Sequence, residues 1–156
     1  MNSDFPPYKI ETLRKPARVF LVGGEILEGT FFLSPISISH KGPETVLELL
    51  SGERRYLPFE TDQGKVVLVQ KTNIVKILLD EEPPDYVGAK KQTHITVRFV
   101  DQSSLEGRLS FLMPVGHSRV SDFLNSAGQF FYIHTNGGTY LVSQSHVSFV
   151  ELLDEP

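Results

Sequence analysis

Short apolar runs of strand length, broken by glycine-rich and polar turns, occur along the chain twice and in the same order. Arg18 to Val22 is a brief apolar run, Gly23-Gly24 is a two-residue turn of the kind a hairpin needs, and Glu25 to Leu33 reads as the return strand. Gly29 offers no side chain to pack within that strand, so a bulge or sharp bend is expected there and at its counterpart Gly107. After a Ser-Pro-rich loop, Val46, Leu49 and Leu50 fall at i, i+3 and i+4 between Gly42-Pro43 and Gly52. That spacing predicts one or two turns of amphipathic helix. Arg54 to Thr61, Lys65 to Gln70 and Ile74 to Leu79 read as three further strands, separated by Asp62-Gln63-Gly64 and Lys71-Thr72-Asn73.

The second pass begins at Leu105-Glu106-Gly107, which matches Leu27-Glu28-Gly29 at a spacing of 78 (105 − 27). Val120, Phe123 and Leu124 then match Val46, Leu49 and Leu50 at a spacing of 74 (120 − 46), with Ser118 placed to cap the helix. Gln129 to Thr135, Thr139 to Ser143 and His146 to Leu153 are the corresponding strands, with Asn136-Gly137-Gly138 as a tight turn. Ile74 to Asp80 matches Val147 to Asp154. Three matched blocks in one order predict a duplication, with an N-terminal arm at 1–16, repeats at 17–80 and 94–156, and a linker at 81–93 that contains Pro83-Pro84. Five strands and a short helix per copy predict a mainly β protein made of two tandem five-stranded barrels of the SH3 or Sm type. A unit of about 60 residues buries only about 60% of its unfolded surface, so the copies are expected to pack on each other or to share sheet edges.

Composition narrows the function rather than naming it. With 40% hydrophobic and 22% charged residues the chain has a core-forming balance, and its formal charge of −4 provides no general field for a polyanion. The absence of cysteine excludes a disulfide framework, a thiolate zinc site and a cysteine nucleophile. Met1 to Lys15 lacks the basic start and apolar run of a signal peptide, and no long uncharged apolar stretch follows, so a soluble cytoplasmic protein is the expectation.

Val67-Leu68-Val69-Gln70-Lys71-Thr72-Asn73-Ile74-Val75-Lys76-Ile77 resembles the last two strands of an Sm-like domain, and the front hairpin with its Leu-Glu-Gly fits the same pattern. The resemblance implies an Sm-like barrel. In that family RNA is held by an Asp or His with Asn in one loop and by a basic residue with Gly in the final turn. This chain has Lys71-Thr72 and Gln144-Ser145 at the turn and a helix in place of the loop, so nucleic acid is not the expected partner. The segment Arg119-Val120-Ser121-Asp122-Phe123-Leu124-Asn125, followed by Phe130-Phe131-Tyr132-Ile133, is also similar to a bacterial family of small β domains to which the resemblance attaches no activity.

No constellation in the sequence demands catalysis. Gly23-Gly24-Glu25 resembles the signature of cyclic-dinucleotide synthases, but Ile26 and Leu27 stand where an acid and an aromatic are needed, which leaves a hairpin turn. Asn125-Ser126-Ala127-Gly128 misses the spacing of a PilZ-type receptor. Histidines 40, 94, 117, 134 and 146 lack ligand-like spacing, and Ser145, His146 and Asp101 lack a nucleophile elbow. Phe130-Phe131-Tyr132 has no interleaved cations and reads as core packing with one ring exposed, rather than as a base-stacking face. The residues left as a candidate ligand or partner set are Arg54, Arg55, Lys71, Asn73 and His146. The leading expectation is a non-enzymatic protein-interaction or assembly module without cofactor or metal, its partner another protein or a second copy met through strand edges. An Sm-like RNA binder and a small nucleotide or anion sensor near Arg54, Arg55 and Lys71 are the alternatives.

Overall fold

The structure is a computed structural model and describes residues 12–80, 91–111 and 119–153. The strands are β1 (Leu13–Leu21), β2 (Ile26–Leu33), β3 (Tyr56–Thr61), β4 (Val66–Gln70), β5 (Ile74–Leu79), β6 (Lys91–Phe99), β7 (Ser104–Phe111), β8 (Phe130–Thr135), β9 (Gly138–Ser143) and β10 (Val147–Leu152). Two short helices, α1 (Val46–Ser51) and α2 (Val120–Ser126), interrupt the series after β2 and β7. Ser118, the expected cap of α2, and the residues read as arm and linker at 1–11 and 81–90 lie outside the described residues. Strand and helix positions follow the apolar periodicity closely, but β1 begins at Leu13, before the expected start at Arg18.

Among the described residues all strand pairs are antiparallel and the ten strands form one sheet, in the order β10-β6-β7-β8-β9-β5-β1-β2-β3-β4. The expectation of two separately closed barrels is therefore corrected to a single open sheet. The physical reason is the pairing of β5 with β9, in which Lys76, Ile77, Leu78 and Leu79 stand opposite Val142, Leu141, Tyr140 and Thr139. Edges that would otherwise belong to two units are used up in one continuous ladder. β4 and β10 remain as its ends.

Because β5 and β9 lie in mid-sheet, both of their faces are covered, and alternate side chains feed two cores. Ile74, Ile77, Leu79 and Leu141 join the first core, around Val19, Phe31, Leu57 and Phe59. Val75 and Val142 join the second, around Ile95, Val97, Phe99, Leu109 and Phe111. Phe130 and Phe131 likewise divide between the first and the second. Each helix plugs one core: Val46, Leu49 and Leu50 are buried in the first, while Val120, Phe123 and Leu124 pack in or against the second. Phe123 stacks on Phe111 with ring centroids 5.0 Å apart.

Local chemistry explains how so short a helix as α1 holds its place. Thr45 accepts from the Glu48 amide at 3.1 Å while the Glu48 carboxylate accepts from the Thr45 amide at 2.9 Å, a reciprocal capping box. Neither Gly29 nor Gly107 sits at a register shift, so the bulge expected there is not what they supply. They permit close approach instead. A Cβ on Gly29 would lie 1.9 Å from the Glu60 carbonyl oxygen, and one on Gly107 would lie 2.6 Å from that of His134. The bulges fall where β5 meets β1, leaving Val75 between paired residues, and where β10 meets β6, leaving Ser148.

Candidate functional site: the two free edges of the sheet

Among the described residues β4 and β10 each have one hydrogen-bonded neighbour, so a row of backbone donors and acceptors on each faces outward. On β4, Val66 is 61% exposed and Leu68 65% exposed. Phe149 on β10 is 52% exposed, and Leu152 and Leu153 are also uncovered. Natural edges are usually blunted by a charge, a proline or a bulge. The run Val66-Val67-Leu68-Val69 has none of these. Apolar residues on both faces are the pattern of a strand inside a sheet, yet this strand ends one.

The sequence-predicted residues gather around the two 3-10 turns, Lys71–Asn73 and Gln144–His146, that precede β5 and β10. Lys71 donates its Nζ to the Gly52 carbonyl at 2.6 Å and its amide to the Arg55 carbonyl at 2.8 Å. Its charge thereby ties the end of α1 to the strand that follows. The Asn73 side-chain amide reaches Gln70 Oε1 at 3.4 Å, and its carbonyl accepts from the Val22 amide at 2.9 Å. His146 comes from the far half of the chain and bonds the Thr72 carbonyl through Nε2 at 2.7 Å. A carbonyl only accepts, so Nε2 carries the proton. The structure thus brings His146 beside Lys71 and Asn73, and Arg55 beside Lys71 through its backbone. The Arg54 and Arg55 residues are solvent-exposed.

Several groups considered for chemistry are engaged otherwise. Asp101 accepts from the amide and hydroxyl of Ser103, at 2.9 and 2.6 Å, and these bonds hold its carboxyl below the ordinary range. Ser145 meets Gln129 Nε2 at 2.9 Å, and His146 is occupied by Thr72, so the three residues of a paper triad are held by separate partners. Glu48 is drawn down to about 2, first by the Ser37 hydroxyl and then by the Thr45 amide, Ser39 and the His40 ring. His40 is raised, chiefly by its bond to the Lys41 carbonyl and further by Glu48. These shifts belong to the anchoring of α1 beside a cleft of about 590 Å³ lined by Ile36, Ile38 and Leu47. Among the described residues no group of three or more His, Asp or Glu is arranged to hold a metal ion, and no helix is long and apolar enough to cross a membrane.

One residue escaped the sequence reading. Lys76 lies on the seam strand β5 with its Nζ 4.7 Å from the Phe20 ring centroid and 4.8 Å from that of Phe99, so it bridges the two halves through cation–π contacts. Burial lowers its pKa, with Asp101 acting in the opposite sense. The available signal was a lysine inside the otherwise apolar Ile74-Val75-Lys76-Ile77-Leu78-Leu79. Comparison with protein-family models, curated proteins and solved structures returns no match for this chain.

Proposed function

We propose that the protein is a non-enzymatic interaction and assembly module, built from a duplicated Sm-like unit and acting by strand addition at β4 and β10. The observation that carries the reading is the pair of open edges at the two ends of one continuous sheet, with Val66 and Leu68 exposed on β4 and Phe149 and Leu152 on β10. Strand addition to such an edge gains main-chain hydrogen bonds, and the side chains at alternate positions provide selectivity.

Recurring hydrogen bonds support the duplication. The amide of Val22 bonds the Asn73 carbonyl at 2.9 Å, and that of Val100, 78 residues on, bonds the His146 carbonyl at 2.9 Å. The amide of Lys71 bonds the Arg55 carbonyl at 2.8 Å, and that of Gln144 bonds the Gln129 carbonyl at 2.8 Å. Strand order is β5-β1-β2-β3-β4 in one half and β10-β6-β7-β8-β9 in the other, with the same bulge between the first two strands of each.

A paired capture experiment tests the reading. The wild-type chain and the variants Leu68→Lys and Leu152→Lys serve as bait in a lysate of the source cells. The reading expects a discrete protein bound by the wild type and lost from both variants, which place a charge on each edge in turn. A bound protein retained by both variants, or turnover of a metabolite by the purified chain, overturns it.

A further inference from the structure

We infer that the partner at these edges is a second copy of this chain, added with the register of the β5–β9 seam. The inference rests on the reading of β4 and β10 as interaction edges. What it adds is the occupant and the pairing.

The two halves of the sheet are equivalent strand by strand. β10 stands to β6 as β5 stands to β1, and β4 stands to β3 as β9 stands to β8. The 3-10 turns Lys71–Asn73 and Gln144–His146 match at a spacing of 73 (144 − 71), and so do the strands that flank them. The protein has therefore joined a β5-type strand to a β9-type strand once, inside itself, and displays one more of each at its ends. Carrying the seam outward by 73 positions sets Phe149, Val150, Glu151 and Leu152 opposite Val69, Leu68, Val67 and Val66 of the next copy.

Burial fits this pairing. In the seam Ile77, Leu79, Leu141 and Thr139 are all 0% exposed. Their outward equivalents include Leu68, Val66 and Leu152, which are among the large apolar residues left uncovered. Pairing would bury the same positions that the internal seam buries. The flanking contacts also have equivalents. Lys76 over Phe20 becomes Phe149 under Arg98 at 5.6 Å, the cation and the ring exchanged between the same two strand positions. His146, which bonds the Thr72 carbonyl across the seam, corresponds to Asn73, whose amide would face the Ser145 carbonyl of the neighbour.

Because each contact joins two different edges, the association is head-to-tail, and it closes into a ring if the rotation allows or grows as a filament if it does not. Pairing of like edges, β4 with β4 or β10 with β10, would instead stop at a symmetric pair.

The chain contains no cysteine, so introduced thiols report contacts without background. Leu68→Cys combined with Val150→Cys, under mild oxidation, is expected to give a ladder of disulfide-linked multimers. Leu68→Cys combined with Glu151→Cys, whose side chains would face opposite sides of the joined sheet, is expected to give none. Light scattering of the wild-type chain, which requires no variant, should show a mass above that of one chain. A single-chain mass at every concentration overturns the inference, as does a disulfide-linked dimer from either single cysteine variant, which would indicate like-edge pairing. A single-chain mass together with capture of another protein that Leu68→Lys abolishes would leave the edges as interaction surfaces and remove only the self-partner. A single-chain mass with nothing captured removes both.

Discussion

Alanine at Gly29 and Gly107 provides a graded test of how closely the strands approach. Neither glycine has a positive φ, so alanine meets no backbone strain and, by limiting the unfolded chain, would stabilise by about 0.4–1 kcal/mol in open space. Space decides against it. The new methyl carbon at Gly29 must retreat by at least 1.1 Å (3.0 − 1.9) from the Glu60 carbonyl, and backbone rather than a pliable side chain is what it strikes. Overpacking of this kind costs about 1–3 kcal/mol. A retreat of this size also stretches the β2–β3 ladder bonds, worth about 1 kcal/mol each. Gly29→Ala is therefore expected to lose roughly 2–4 kcal/mol, which at this chain length lowers Tm by roughly 6–12 °C. At Gly107 the required retreat is only 0.4 Å (3.0 − 2.6), although Ile133 Cγ2 at 2.7 Å adds a second contact. Gly107→Ala is expected to lose roughly 1–2 kcal/mol by the same balance. Urea unfolding followed by circular dichroism measures both. A stability change within about 0.5 kcal/mol of wild type for Gly29→Ala, or a larger loss at Gly107 than at Gly29, would refute the reasoning.

Three further outcomes are expected. The Glu48 carboxyl is depressed from 4.5 to about 2, so its contribution is complete above its unfolded pKa and is lost as pH falls from there through about 2. Since glutamine keeps the capping geometry, the gap in urea midpoint between wild type and Glu48→Gln should narrow across that acid window, and a gap independent of pH would contradict the assignment. Gln102 holds φ at +76° at the position where the first half has Gly24, so Gln102→Gly should raise stability by about 0.5–1 kcal/mol; a loss would show that its side chain supplies something the backbone does not. His146→Ala should cost about 1 kcal/mol in global unfolding through loss of the bond to Thr72, and an unchanged midpoint would show that the contact is not held in solution.

Strand and helix positions were legible because they depend on local signals. The i, i+3, i+4 triplets place α1 and α2, and turn residues such as Gly23-Gly24 and Asn136-Gly137 bound the hairpins. The Thr45-x-x-Glu48 pattern is the sequence signature of the capping box and sets the start of α1 more closely than Gly42-Pro43. The joining of β5 to β9 was not legible as a pairing, because it unites residues 60 to 66 positions apart (139 − 79, 142 − 76) and hydrophobicity does not name a partner strand. Its trace was compositional. Five of the six residues of β5 are apolar, the pattern of a strand buried on both faces, whereas Ser148 and Glu151 interrupt β10. His146 was singled out for chemistry and proved to be a contact between the halves, a role that only the folded arrangement reveals.

The central claim is that β4 and β10 are joined to other strands in the working state. Hydrogen–deuterium exchange of the purified chain, measured at low and at high protein concentration, addresses it directly. The outward-facing amides of Val66–Gln70 and Val147–Leu152 are expected to exchange more slowly as concentration rises, approaching the protection of β5 and β9. Fast exchange on both edges at every concentration, with β5 and β9 protected throughout, would contradict it.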